Sequence, residues 1–155
     1  NKYKGLCEPL LTKHTDARFV GVTYRPATVC GYSPRLRLDL SVNILTSHAV
    51  VNNRITVFGG DQLRPNLHIQ DYCDLVKLLL AAPDEKGADE IFNCGYQNMS
   101  IRAIADLVQK VVQEEFPEKG EIEIVTTPRN HNRSYHLHPD QNRRVRGFEP
   151  KHPVE

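Results

Sequence analysis

Short β-branched or aromatic runs alternate with apolar-striped runs along this 155-residue chain, and that alternation constrains the fold more than any other feature. Strands that alternate with helices build α/β layers, in which helices cover the faces of largely parallel sheets. Residues 2–13 read as the end of a helix through Leu6, Pro9, Leu10 and Leu11. Residues 18–25 (RFVGVTYR) read as a buried strand that stops at Pro26, where the backbone donor is lost. The stretch PATVCGYSPR then reads as irregular. Leu40, Val42, Ile44, Leu45 and Ala49 give residues 39–52 a helical spacing. A strand follows at 54–58 (RITVF), closed by Gly59 and Gly60, and a very short one at 66–69 (NLHI). Residues 70–82 form an apolar helix through Tyr72, Leu75, Val76 and Leu79, and 90–94 (EIFNC) a strand ending at Gly95. Ser100 is a good cap for the clearest helix, 101–116, whose stripe is Ile101, Ile104, Leu107, Val108, Val111 and Val112. Residues 121–127 (EIEIVTT) alternate as a half-buried strand, and from Pro128 the chain is polar and rich in arginine and histidine.

No internal repeat or low-complexity linker divides the chain, so it reads as a single unit, residues 1–155. Lysine and arginine number 20 against 19 aspartates and glutamates, a balance that gives no global attraction to nucleic acid or to an anionic membrane. No apolar run approaches the roughly 18 residues a membrane span needs. Cys7, Cys30, Cys73 and Cys94 lie far apart, with no C-x-x-C pair, which fits free thiols in a reducing cytoplasm. Neither G-x-G-x-x-G nor G-x-x-G-x-x-G occurs, so no dinucleotide phosphate loop is expected. The chain also opens without methionine and reads as starting inside a helix.

Three segments together resemble the extended short-chain dehydrogenase/reductase family, specifically its NAD-dependent sugar-nucleotide epimerases and dehydratases. The run from Lys4 to Glu8 (KGLCE) is similar to the family helix Y-x-x-x-K-x-x-x-E, with the matching tyrosine one residue before Asn1. Tyr3 cannot replace it, because Cys7 stands where its lysine belongs. The run from Tyr24 to Gly31 (YRPATVCG) resembles R-P-x-N-V-Y-G, with Thr28 in place of asparagine and Cys30 in place of tyrosine. The longest segment, Arg37 to Asp71, resembles the family's asparagine-bearing helix, its V-x-G strand, its arginine and its H-V-x-D helix start. The strand IFNCG, the Ser100-capped helix and the GFEP near the end continue the match.

This resemblance implies the C-terminal part of an extended Rossmann-type, NAD(P)-binding α/β fold with its sugar-nucleotide-binding subdomain, the N-terminal dinucleotide-binding half being absent. It implies NAD or NADP as cofactor and a nucleotide-diphosphate sugar as partner, the sugar being transiently oxidised, then epimerised, dehydrated or reduced. Lys4 takes the role of the lysine that holds the nicotinamide ribose and lowers the tyrosine's pKa from about 10. Pro26 lies beside the cofactor, and Thr28, Asn43, Val57, Arg64 and Arg129 contact substrate, the two arginines on its diphosphate. The family also implies a homodimer and a cytoplasmic location.

Plainer readings stand beside these. Lys4 could be a solvated helix lysine, Arg64 and Arg129 surface arginines, Asn43 an exposed amide, and Phe58 ordinary core. His68 reads as a brace for the next helix. His136 and His138 alternate near His131 and Asp140, yet no third ligand stands at a recognised spacing, so no metal is expected. No G-x-S-x-G or cysteine signature supports a hydrolase. Two non-enzymatic readings remain: a truncated module that holds a nucleotide sugar without turning it over, and an interaction domain using helix 101–116.

Overall fold

The computed structural model describes residues 2–83, 90–128, 133–138 and 147–155. In chain order the elements are α1 (Lys2–His14), β1 (Thr23–Pro26), β2 (Thr28–Cys30), α2 (Ser41–Asn52), β3 (Arg54–Phe58), β4 (Leu63–His68) and α3 (Ile69–Ala81). Then come β5 (Ile91–Cys94), β6 (Gln97–Ser100), α4 (Ile101–Glu115), a 3₁₀ turn at Pro117–Lys119 and β7 (Glu123–Thr127). The strands form three small sheets: β1 with β5, β2 with β4 and β6, and β3 with β7. All pairs are parallel except β4–β6.

The α/β alternation holds, and the differences have local causes. The strand expected over 18–25 shrinks to Thr23–Pro26, because its partner β5 offers only the register from Ile91 to Cys94. Upstream, the Asp16 carboxylate accepts the backbone N–H groups of Arg18 (2.7 Å) and Phe19 (3.0 Å), which turns the chain before it can extend. The stretch expected to be irregular contains β2, held by Asn66, Leu67 and His68 of β4. β4 begins at Leu63, earlier than expected, despite Pro65. That proline lies outside the β2 register, where β4 is paired on one side only and a missing donor is tolerated. The polar β6 was not foreseen.

Two cores result. The larger joins α2 and α4 to β3 through Val42, Leu45, Ala49, Ile55, Val57, Ile104, Val108 and Ile122. The smaller joins Ala27, Leu67, Leu75, Cys94 and Phe148. Ser100 caps α4 as expected, its Oγ accepting Ala103 N–H at 3.0 Å. His68 Nδ1 likewise accepts Gln70 N–H at 3.2 Å at the start of α3, the bracing role read from the sequence. α2 starts at Ser41, and Leu40 before it supplies no side-chain cap. Phe58 is not core: it is 52% exposed at the end of β3, while its neighbour Val57 is fully buried, the alternation a strand imposes.

The segment 147–155 is strapped back onto the domain by Asp71, which is only 2% exposed. One carboxylate oxygen accepts Lys151 N–H (3.0 Å) and the His152 ring (Nδ1, 2.7 Å), and the other accepts His152 N–H (3.0 Å). Burial pushes this carboxyl up, but the His152 ring and the two backbone donors outweigh it and leave it below its ordinary value. The His152 ring stacks on His68 at 5.2 Å, and Val154 N–H donates to Gln97 Oε1 at 2.8 Å.

Candidate functional site

Four of the residues singled out from the sequence, Lys4, Pro26, Asn43 and Arg64, line three depressions. The largest, about 910 Å³, is a groove between α1 and β1, and it brings Lys4 and Pro26 together. Its walls are set by a two-pronged ion pair from β1 to α1, in which Arg25 Nε and Nη2 donate to the two Glu8 carboxylate oxygens at 2.8 and 2.5 Å. The Arg25 hydrogen bonds hold the Glu8 carboxyl below its ordinary value. α1 has no buried side chain, and Lys4 is exposed on it while Tyr3, Leu6 and Leu10 face outward. Cys94, beneath the end of β1, is pushed up to about 12 by burial and by the charge of Asp71, so it stays a thiol.

The other two depressions use different faces of α2. Asn43 lines a cleft of about 420 Å³ with Gly31, Tyr32 and His68. Its Oδ1 accepts Gly31 N–H at 3.3 Å and its Nδ2 donates to Arg37 O at 2.9 Å, so the amide holds the loop between β2 and α2. Gly31 has φ +103°, and a Cβ there would meet His68 Nε2 at 2.6 Å, which excludes any side chain.

Arg64 lines a hollow of about 230 Å³ with Ser41, Ile44, His48, Phe58 and Gln62. Its Nη1 donates to Leu63 O (2.8 Å) and Arg133 O (2.5 Å), and its Cζ lies 5.2 Å from the centre of the Tyr135 ring. Among the described residues no carboxylate pairs with Arg64, and its Nε and Nη2 make no hydrogen bond. Among the described residues nothing occupies the Nε–Nη2 edge, the pair of donors an oxyanion takes bidentately.

Thr28 lies half-buried in β2, opposite Asn66 of β4. Val57 is fully buried with Ile55 and Ile104, opposite Thr126 in the β3–β7 ladder, and it lines none of the three depressions. Arg129 lies outside the described residues. His136 and His138 sit with ring centres 6.1 Å apart, and among the described residues no three His, Cys, Asp or Glu side chains converge on a metal position. No described helix is long and apolar enough to cross a membrane.

Two residues escaped the sequence reading. Asp71 reads only as the end of the H-I-Q-D helix start, and its partners are about 80 residues away, at Lys151 and His152. Gln62, given no role in the sequence, is 4% exposed and bonded at both ends of its amide.

A model of the NAD dependent epimerase/dehydratase family matches residues 4–95. Among solved structures, an ADP-L-glycero-D-manno-heptose-6-epimerase from Helicobacter pylori superposes with a TM-score of 0.75 at 19% identity, over 98% of this chain and 46% of that one. DesIV, a dTDP-glucose 4,6-dehydratase from Streptomyces venezuelae solved with NAD and TYD bound, gives 0.71 at 16% identity, over 94% and 44%. RMD from Pseudomonas aeruginosa, complexed with NADPH, gives 0.72 at 20% identity, over 95% and 49%. This chain thus spans about half the length of the structures it matches, and at such identities the likeness speaks to the α/β, Rossmann-type fold.

Proposed function

The chain belongs to the NAD dependent epimerase/dehydratase family, and from that membership we propose that it is the C-terminal, sugar-nucleotide-binding part of an enzyme that epimerises, dehydrates or reduces a nucleotide-linked sugar with NAD or NADP. The single observation that carries this reading is the groove in which Lys4 and Pro26 meet, between the helix and the strand that bear the family-like motifs. A cation from α1 and the apolar side chains of Phe19, Val22 and Pro26, all lining the same groove, suit the nicotinamide end of the cofactor. The 155 residues hold no glycine-rich loop for its diphosphate, so the fit is to that end alone. When bound, the nicotinamide supplies hydride acceptance and return.

The chain's own residues do the rest. Lys4 presents an ammonium to the groove, where it stabilises the phenolate of a tyrosine upstream of Asn1 and holds the ribose. Arg64 offers its free guanidinium edge to the diphosphate, with Phe58 as an apolar wall beside it. Asn43 acts through the Gly31 loop it holds, and Thr28 opens the strand that leads into that loop. Arg129 serves as a second diphosphate contact. Gripping the remote, unreactive end of the substrate orients the reacting carbon. The outward-facing α1 surface supports a homodimer of the intact protein, and the four free cysteines support the reading of a cytoplasmic location.

The missing phosphate loop favours a second reading, a module that holds nucleotide sugars without turning them over. Kinetics on the full-length protein decide between them. On the enzymatic reading Lys4→Ala lowers kcat by about a hundredfold or more, the contribution of assisted proton transfer. Arg64→Ala raises KM roughly tenfold with a smaller change in kcat, as loss of one charged hydrogen-bonding group predicts. Wild-type kinetics in both variants would refute these assignments, and nucleotide-sugar binding without turnover in the wild type would establish the module.

A further inference from the structure

β3 and β4 belong to different sheets, so no ladder of backbone bonds fixes the angle between them. Yet Phe58 closes β3, Arg64 lies near the start of β4, and both line the same hollow. Between them Gly59 (φ 80°) and Gly60 (φ 138°) turn the chain through a conformation that is no more favourable than many others open to glycine. Two backbone bonds anchor the glycines, Gly59 N–H to Thr127 O and Arg102 N–H to Gly60 O, both at 2.9 Å, and one side chain links the two ends of the turn. Gln62 Oε1 accepts Gly60 N–H at 2.7 Å, and Gln62 Nε2 donates to Phe58 O at 2.6 Å. The same residue's carbonyl accepts Ile101 N–H at 3.2 Å, tying the turn to the start of α4. With 4% exposure, the amide has both of its bonds inside the protein, away from competing water.

We infer that Gln62 is a positioning residue that sets the spacing between the Phe58 wall and the Arg64 guanidinium, and so selects the nucleobase of the bound nucleoside diphosphate. The inference rests on the proposed reading of the hollow as a nucleotide site. The base meets the apolar wall and the phosphates meet the arginine, so the distance between those two groups decides which base fits. A turn without the Gln62 amide keeps its backbone bonds to Thr127 and Arg102 but loses the link from Phe58 to Gly60, so the spacing of Phe58 and Arg64 loosens and selectivity falls before folding does.

The test is calorimetric titration of the full-length protein with four probes, the diphosphates of uridine, thymidine, guanosine and adenosine. In Gln62→Ala the preferred probe is expected to bind about tenfold more weakly, the effect of losing a buried hydrogen-bonded group, while the preference over the other three flattens. Gln62→Glu supplies a readout that general damage to the fold does not produce. Its ionised carboxylate accepts from Gly60 N–H but repels Phe58 O. Once protonated, it donates to Phe58 O and mimics the amide. Its affinity relative to wild type, measured at the same pH, therefore recovers as pH falls. Unchanged affinity and preference in Gln62→Ala overturns the inference. Should that variant fail to fold, a pH-independent ratio for Gln62→Glu overturns it equally. If the wild type binds none of the four probes, the nucleotide reading of the hollow falls, and this inference with it.

Discussion

Replacing Asp71 with asparagine removes a charge and almost no volume, so it isolates what the carboxylate does for the segment 147–155. The two oxygens now accept three donors: Lys151 N–H, His152 N–H and the His152 ring. Whichever way the amide is oriented, its NH₂ faces at least one of those donors, and a buried donor left without an acceptor costs about 1–3 kcal/mol. Taking about 2 kcal/mol, and about 2–4 °C per kcal/mol for a chain of this size, Tm falls by roughly 4–8 °C. Asp71→Ala strands all three donors and is expected to cost roughly 3–5 kcal/mol. Acid supplies an independent check. The folded carboxyl lies below its ordinary value, so its contribution is complete above the unfolded pKa of about 3.9 and is lost as pH falls through the folded value. Calorimetric melts of wild type and Asp71→Asn should therefore converge at the acid end and separate near neutrality. Limited proteolysis should cut the variant first around Phe148, whose burial in the smaller core depends on the strap. A neutral-pH Tm within about 1 °C of wild type would refute the reasoning.

Two further outcomes follow from local structure. Ser100→Ala removes the acceptor for Ala103 N–H, and chemical denaturation should register a loss of about 1 kcal/mol, whereas Ser100→Gly should cost only a few tenths. A thiol reagent at neutral pH should label Cys7 and Cys73 rapidly in the native chain and spare Cys30 and Cys94, whose thiols are raised by burial; peptide mapping after a short pulse reads this, and early modification of Cys94 would contradict it.

What could be read in advance was whatever depends on near neighbours in the chain. The stripe and cap of α4 are encoded within 16 residues, from Ser100 to Glu115, and both are found where expected. The same holds for β3, whose five residues match the expected bounds. β2 was hidden because it is only three residues long, and β6 because QNMS is polar; both extend because β4 offers them a register. Phe58 misled because β-propensity marks a strand without saying which face is solvated at its end. In the candidate site, the resemblance to a family singled out Lys4, Asn43 and Arg64, but no pattern could foretell what holds them. Asn43 is bonded to Gly31 and Arg37, and Arg64 is flanked by Arg133 and Tyr135 from the far end of the chain.

The pairing of β3 with β7 also sets a timetable for biosynthesis. Arg54 finds Glu123, and Phe58 finds Thr127, across an interval of roughly seventy residues. At a ribosomal pace of about 5–20 residues per second, β3 waits several seconds for its partner. During that wait the unpaired backbone of β3 and the apolar groups of Ile55 and Val57 are open to any strand nearby, including another nascent copy. Helix α2, complete before β3 emerges, is the first element able to cover that face, which makes its early formation a safeguard against aggregation as well as a step in building the hollow.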